Sequence, residues 1–238
     1  MKYFISFGGP TPNYRNIVNR ICIQALKFNT FYTINGLTDI NLKNDMLFYN
    51  KHEKFITNNS KGYGYWIWKS YIVKKQLESM KENDILVYAD AGCILNINGK
   101  ERLNEYFDIV NKSEYGILSF ELDLLEKEWT KMDVFEYLNA YEYLNTKQLV
   151  GGIFIIRKCS HTINLVNKWY DTCCKYNLID DSTSTLTNDD IFKDTRHDQS
   201  IWSLIRKKYG THIIKDETYF IDWNDGNEKP ILAVRMKH

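Results

Sequence analysis

Five consecutive apolar residues, Ile85-Leu86-Val87-Tyr88-Ala89, stop at Asp90-Ala91-Gly92. An apolar run without alternation suits a central strand buried on both faces, since neither side of its pleat meets water. Around it the chain reads as strands alternating with helices. Lys2–Phe7 is rich in β-formers and ends at the turn signal Gly8-Gly9-Pro10. Tyr14, Ile17, Val18, Ile21, Cys22, Ala25 and Leu26 follow at helical spacing. Phe31–Ile34 then reads as a second strand closed by Asn35-Gly36. Strand, helix, strand in that order predicts a right-handed βαβ unit with parallel strands.

Beyond this opening, Asp39–Gly64 reads as polar and irregular. Trp68, Ile72, Val73, Leu77 and Met80 predict a helix, as do Ile163, Val166, Trp169, Tyr170, Cys173 and Cys174. Gly116–Phe120 and Ile153–Ile156 read as further strands. Asn177–Thr195 is polar, and a loop of that length in a compact domain is commonly functional or mobile. Thr195 reads as an N-cap for a helix running to Lys208 and stopped by Gly210. The tail His212–His238 reads as short strands and loop.

The 238 residues fit one α/β domain spanning 1–238, with no linker or repeat to divide them. Lysines and arginines number 31 against 30 acidic residues, for a net charge of +1. That balance argues against nucleic acid, whose binders draw most of their affinity from a basic face. No run reaches the ~18 apolar residues needed to span a bilayer. The five cysteines form no C-x-x-C pair, and no cleavable signal pattern follows Met1. They read as free thiols in a reducing, cytoplasmic compartment. Aromatic residues make up 15% of the chain. They suit a packed core or, alternatively, stacking on the apolar faces of pyranose rings.

Asp90 sits where open α/β sheets bind ligands, just past the end of a buried strand. There a carboxylate can hold a ribose hydroxyl or a divalent metal bridging a diphosphate; Asp and Gly also end strands as ordinary turns. The surrounding blocks narrow the choice. VYADAGCIL (87–95) resembles the strand-plus-D-x-D signature of glycosyltransferases with the GT-A fold. Gly62-Tyr63-Gly64-Tyr65-Trp66-Ile67-Trp68-Lys69 precedes it, and Glu128-Trp129-Thr130-Lys131, Gly151-Gly152-Ile153-Phe154 and Arg196-His197-Asp198-Gln199-Ser200 follow. Together they resemble, in order from Lys2 to about Gly210, a GT-A family found in surface-polysaccharide gene clusters and large DNA viruses.

The resemblance implies a GT-A-like, mainly parallel, twisted sheet with helices on both faces. It implies transfer of a hexose from a nucleotide-sugar donor, UDP-linked, to a glycan or other hydroxyl acceptor. Ser6, Phe7, Lys69, Asp90, Ala91, Gly92, Gly151, Gly152 and His197 would then line the nucleotide-sugar site. Asp198 and Gln199 would be catalytic. In retaining relatives a D-Q pair opening a helix lies near the reacting sugar carbon. In an inverting enzyme Asp198 would be the general base.

Departures and rivals qualify this reading. Gly92 stands where the second D-x-D carboxylate is expected, which leaves Asp90 as the metal ligand for Mn²⁺ or Mg²⁺, helped by His197, Asp198 or His212. Otherwise cationic side chains, Lys69 first, would neutralise the leaving diphosphate. Thr195-x-x-Asp198 and Thr130-x-x-Asp133 also match helix caps, which would make Asp198 structural. Trp129 is a candidate platform for an acceptor sugar, and Asn177–Thr195 a candidate lid over the donor. A non-catalytic carbohydrate-binding protein on the same fold is the main rival. A sugar nucleotidyltransferase is weaker, since Gly8-Gly9-Pro10-Thr11-Pro12 lacks the basic, glycine-rich loop a triphosphate needs. No Walker-type phosphate loop, H-E-x-x-H or G-x-S-x-G motif occurs.

Overall fold

The computed structural model describes residues 1–236; the last two residues of the expected tail lie outside them. Among the described residues nine strands form: β1 (Lys2–Phe7), β2 (Thr33–Leu37), β3 (Ile85–Ala89), β4 (Ile94–Leu95), β5 (Ile117–Leu125), β6 (Lys147–Leu149), β7 (Ile153–Arg157), β8 (His212–Lys215) and β9 (Ile231–Leu232). Seven build one sheet in the order β2-β1-β3-β7-β5-β6, with β8 paired to β5; β4 and β9 form a separate ribbon. β1 is parallel to β2 and β3, and β5 is parallel to β8. β7 runs against both β3 and β5, and β6 runs against β5, so β1, β2, β3, β5 and β8 share one direction. The fold is an α/β sheet, mostly parallel, flanked by helices.

β3 is the buried central strand that its apolar run requires, with all five residues at 3% exposure or less. Leu86 and Tyr88 enter one core with the helices Ile67–Ser79, Ser160–Cys173 and Asp198–Tyr209. Ile85, Val87 and Ala89 enter the other, under Pro12–Lys27 and Lys100–Lys112. Ile85, Leu86 and Val87 each contribute roughly 1.5–3 kcal/mol by leaving water. The parallel β1–β2 pair confirms the βαβ opening.

Three local expectations are corrected. β2 begins at Thr33 and runs through Asn35-Gly36 instead of ending there. Gly36 pairs with Ser6, and a Cβ on it would meet Cys22 Sγ at 2.8 Å, so the glycine permits close helix packing rather than a turn. The stretch after Asp39 is also not irregular, since it holds the helices Asp39–Asn44 and Met46–Asn58. Their buried stripe is thin: in the longer helix only Phe48, His52 and Ile56 are buried, while Met46 and Leu47 are exposed. A stripe one residue wide gives a weak periodic signal.

Neither expected threonine cap forms. The last long helix starts at Asp198 with His197 at its N-cap, and Thr195 Oγ1 is buried without a hydrogen-bond partner among the described residues. Thr130 Oγ1 turns to Glu126 (3.2 Å), and Asp133 accepts from Thr185 instead of from its own helix end.

Candidate functional site

The end of β3 is held rigidly. Asp90 N–H donates to Gly152 O (2.8 Å), extending the ladder one residue beyond the strand. Cys93 N–H closes the turn onto Asp90 O (2.9 Å). From the first helix, the Arg20 guanidinium donates to the carbonyls of Ala91 (2.6 Å) and Cys93 (2.9 Å). The Asp90 side chain, 40% exposed, is thereby presented at the edge of the sheet.

Lys69 sits beside it, near the start of the Ile67–Ser79 helix, and is 4% exposed at its side chain. Its Nζ lies 3.3 Å from Asp90 Oδ1 and 3.0 Å from Asp198 Oδ2. The Tyr88 hydroxyl donates to the same Asp90 Oδ1 (2.6 Å). Burial works against the Lys69 ammonium, but the carboxylates of Asp198 and Asp90 outweigh it and raise its pKa. Asp198 is pushed up to about 6, chiefly by burial; Lys69 opposes the shift and the like charge of Asp90 adds to it. The asymmetry is physical: the lysine feels two opposite charges, and Asp198 feels one of each sign.

A segment that departs from ordinary backbone delivers Lys69. Gly62, Tyr63, Gly64, Tyr65 and Trp66 all have positive φ, forming a left-handed turn. That conformation costs roughly 1–2 kcal/mol at each non-glycine residue. Contacts hold it in place. The Trp66 ring lies over Gly62, where a Cβ would meet ring carbons at 2.4 Å, and Trp68 Nε1–H donates to Gly62 O (2.9 Å). Strain of this kind collects at functional sites. Trp68 itself stacks on Phe7 with ring centroids 3.9 Å apart and belongs to the core.

Gly151 and Gly152 connect the two halves of the site. A Cβ on Gly152 would lie 2.5 Å from Asp90 Oδ2, and one on Gly151 would lie 2.6 Å from Gln199 Cβ. Gln199 is fixed at both ends of its amide: Oε1 accepts from Gly151 N–H (2.9 Å) and Nε2 donates to Gln148 Oε1 (2.7 Å). Gln148 in turn donates to the fully buried Glu126 (3.2 Å), which also holds Thr130, Ser203 and Lys207.

The structure therefore gathers Lys69, Asp90, Gly151, Gly152, Asp198 and Gln199 at one place. Ser6 and Phe7 lie at the same end of the sheet but are covered, at 0% and 5% exposure. His197 faces elsewhere. Its Nδ1–H donates to Ile179 O (2.7 Å), and its ring packs against Tyr65 and Trp66. Ala91 is buried, and Gly92 carries the C-terminal tail, with Met236 N–H donating to Gly92 O (2.9 Å). Sequence reasoning missed Tyr88 as the partner of Asp90, Arg20 as the brace of its turn, and the Glu126–Gln148 support beneath Gln199.

The donor set does not fit a protein-built metal centre. Asp198 is engaged by Lys69, His197 is turned away, and His212 belongs to β8 at the far side of β7 and β5. Among the described residues no group of three His, Cys, Asp or Glu side chains converges to hold a metal ion.

No protein-family model matches the chain, and no curated protein matches it. Among solved structures it is similar to a glycosyltransferase involved in the glycosylation of the major capsid of PBCV-1, at 10% identity over 97% of this chain and 91% of that one, with a TM-score of 0.50. It is also similar to mouse xyloside xylosyltransferase 1 in its apo form, at 10% identity over 94% and 89% of the two chains, with a TM-score of 0.48.

Proposed function

The protein has a glycosyltransferase-like fold, and on it we propose a glycosyltransferase that moves a hexose from a nucleotide-sugar donor, UDP-linked, to a hydroxyl acceptor. One observation carries the reading: a buried ammonium bridges two carboxylates at the C-terminal end of the central strand. A buried ion pair adds little net stability, so its retention at a ligand-binding edge fits a functional role better than a structural one.

In this reading Asp90 is the carboxylate offered to the donor, aimed by Tyr88 and Lys69. Asp198 is too enclosed, at 5% side-chain exposure, to be a freely approached base. It serves better as a fixed acceptor for a donor-sugar hydroxyl, with the Gln199 amide locked beside it. Lys69 is committed to its two carboxylates, so the diphosphate charge falls to other cations. Arg196 and Arg235 suit this. Arg196 packs on Trp129, with 4.3 Å from guanidinium to ring centroid, and its pKa is lowered first by burial and then by the charge of Arg235. Arg235 lies on the tail against Gly92, where an added Cβ would come within 3.5 Å of Arg235 Cα.

The test is thermal stability against a panel of nucleotide sugars and free nucleotides, with Mn²⁺, with Mg²⁺ and with a chelator. A ligand at about 100 times its dissociation constant adds roughly 2.7 kcal/mol. A selective response to one nucleotide sugar, lost in Asp90→Ala, supports the reading. Glycan binding without turnover, unaffected by Asp90→Ala, would replace it with the non-catalytic alternative.

A further inference from the structure

The segment leading into Asp198 builds a second concavity. It is a cavity of about 350 Å³ whose walls include Lys61, Asp181, Asn188, Phe192, Asp194 and Thr195. In place of a free lid, this segment is fastened to residues 126–133. Asp133 accepts from Thr185 N–H (2.9 Å) and Leu186 N–H (2.9 Å), Asn188 Oδ1 accepts from Met132 N–H (2.8 Å), and Lys193 N–H donates to Glu128 O (2.8 Å). A wall tied at several points is preorganised and loses little entropy when a ligand arrives.

Two polar groups here lack the partner that burial demands. Thr195, 3% exposed, is one of the lining residues, and its hydroxyl has no partner among the described residues. His197, 4% exposed, donates through Nδ1, which leaves Nε2 as an acceptor; that atom has no hydrogen-bond partner among the described residues and lies 3.7 Å from Oδ1 of the cavity-lining Asp181. Native proteins rarely leave such groups unsatisfied, and each one calls for a ligand or a water.

The lining chemistry identifies the class of ligand. Both lysines of the lining are already paired, Lys61 with Asp181 (3.0 Å) and Lys131 with Asp180 (3.4 Å), and Asp194 is tied to the Thr195 N–H (2.7 Å). No surplus positive charge remains for a phosphate. What is left is a set of hydroxyls, amide and carboxylate oxygens beside one aromatic ring, Phe192. Such a set matches the hydroxyls and apolar face of a neutral sugar. The volume lies within the range of small-molecule sites.

We propose that this cavity binds a neutral pyranose unit of the acceptor, next to the donor site; the assignment rests on the transferase reading above. Thr195 and His197 would satisfy their free atoms on its hydroxyls, and the peptide joining His197 to Asp198 would link the two sites.

Ligand-observed NMR with the methyl glycosides of glucose, galactose, mannose and N-acetylglucosamine tests this, on wild type and on Thr195→Val. We expect saturation transfer to at least one glycoside, undiminished by nucleotide sugar. Thr195→Val should weaken it about tenfold, the worth of one hydrogen bond to a buried group. The same variant should fold at least as stably as wild type, since it removes an unpartnered hydroxyl, and should keep the donor-induced thermal shift. Phe192→Ala, at a partly exposed position, provides a second variant that should lose glycoside binding. No transfer to any glycoside, displacement by nucleotide sugar, or full binding in both variants overturns the assignment. Glycoside binding without any response to nucleotide sugars would keep the sugar site and sink the transferase reading instead.

Discussion

The Lys69 ammonium and the Asp198 carboxylate meet at 3.0 Å with both side chains about 95% enclosed, 4% and 5% exposed respectively. Breaking a buried pair by removing one partner leaves an uncompensated charge, at roughly 3–5 kcal/mol. Lys69→Met should therefore cost that much in chemical denaturation and should abolish transfer. Two carboxylates would then face each other without a counter-charge. A variant that keeps wild-type stability would show that the pair is not buried in solution.

The raised pKa of Asp198 makes stability depend on pH in a direction opposite to that of an ordinary salt-bridged carboxylate. Its folded value, about 6, lies above the unfolded value of about 3.9. The folded state thus holds the proton more tightly. The contribution is fully present below about pH 4 and is lost as pH rises through about 6, to a total of about 2–3 kcal/mol. Denaturation of wild type and Asp198→Asn between pH 4 and 7.5 should show wild type losing ground to the variant as pH rises. Wild type gaining ground would mean that Lys69 holds Asp198 below the usual carboxylate range.

Much of this arrangement was legible in order but not in space. The unbroken apolar run of β3 marked a central strand, and Asp90 followed from its end. Lys69, Asp198 and the glycine pair were visible as blocks, because each combines residue types that a plain helix or strand has no need of. Their convergence was not visible, since nothing local encodes a bridge between positions 69, 90 and 198. Local rules also misled where tertiary forces won. Thr195 and Asp198 fit a capping box, but the pull of Lys69 takes the Asp198 side chain inward and His197 becomes the cap. The left-handed run through Tyr63, Tyr65 and Trp66 was not legible either, because no local preference of these aromatic residues favours it; it is held by the contacts of Trp66 and Trp68 with Gly62 and of Tyr65 and Trp66 with His197.

The two adjacent glycines should respond differently to alanine. At Gly152 the new Cβ would press on Oδ2 of Asp90, the end of a partly exposed side chain that can swing away. Gly152→Ala should leave stability within about 1 kcal/mol and weaken donor binding by re-aiming the carboxylate. At Gly151 the clash includes Gln199 Cα at 3.0 Å, which is helix backbone and cannot yield. Gly151→Ala should cost about 1–3 kcal/mol of stability, the usual price of overpacking. Denaturation midpoints and nucleotide-sugar affinities measured side by side would separate the two; equal stability losses would contradict the geometry.

Gln148 has no route to a ligand, being fully buried, yet it holds the Gln199 amide through a 2.7 Å hydrogen bond and is itself oriented by Glu126. Its removal should be felt in the chemical step rather than in donor binding, because Gln199 would lose its fixed orientation while Lys69 and Asp90 stay in place. Misplacing a positioned group by about 1 Å can lower turnover about 100-fold. Gln148→Ala should lower kcat well beyond any change in KM for the donor, at a stability cost of about 1–3 kcal/mol from the partners it leaves unpaired. Gln148→Glu sharpens the test. A second carboxylate against Glu126 would repel it, so this near-isosteric change should destabilise more than alanine does, unless one of the two carboxyls takes up a proton. If both variants kept full turnover, Gln199 would not need its support, and its place beside Asp198 would be structural.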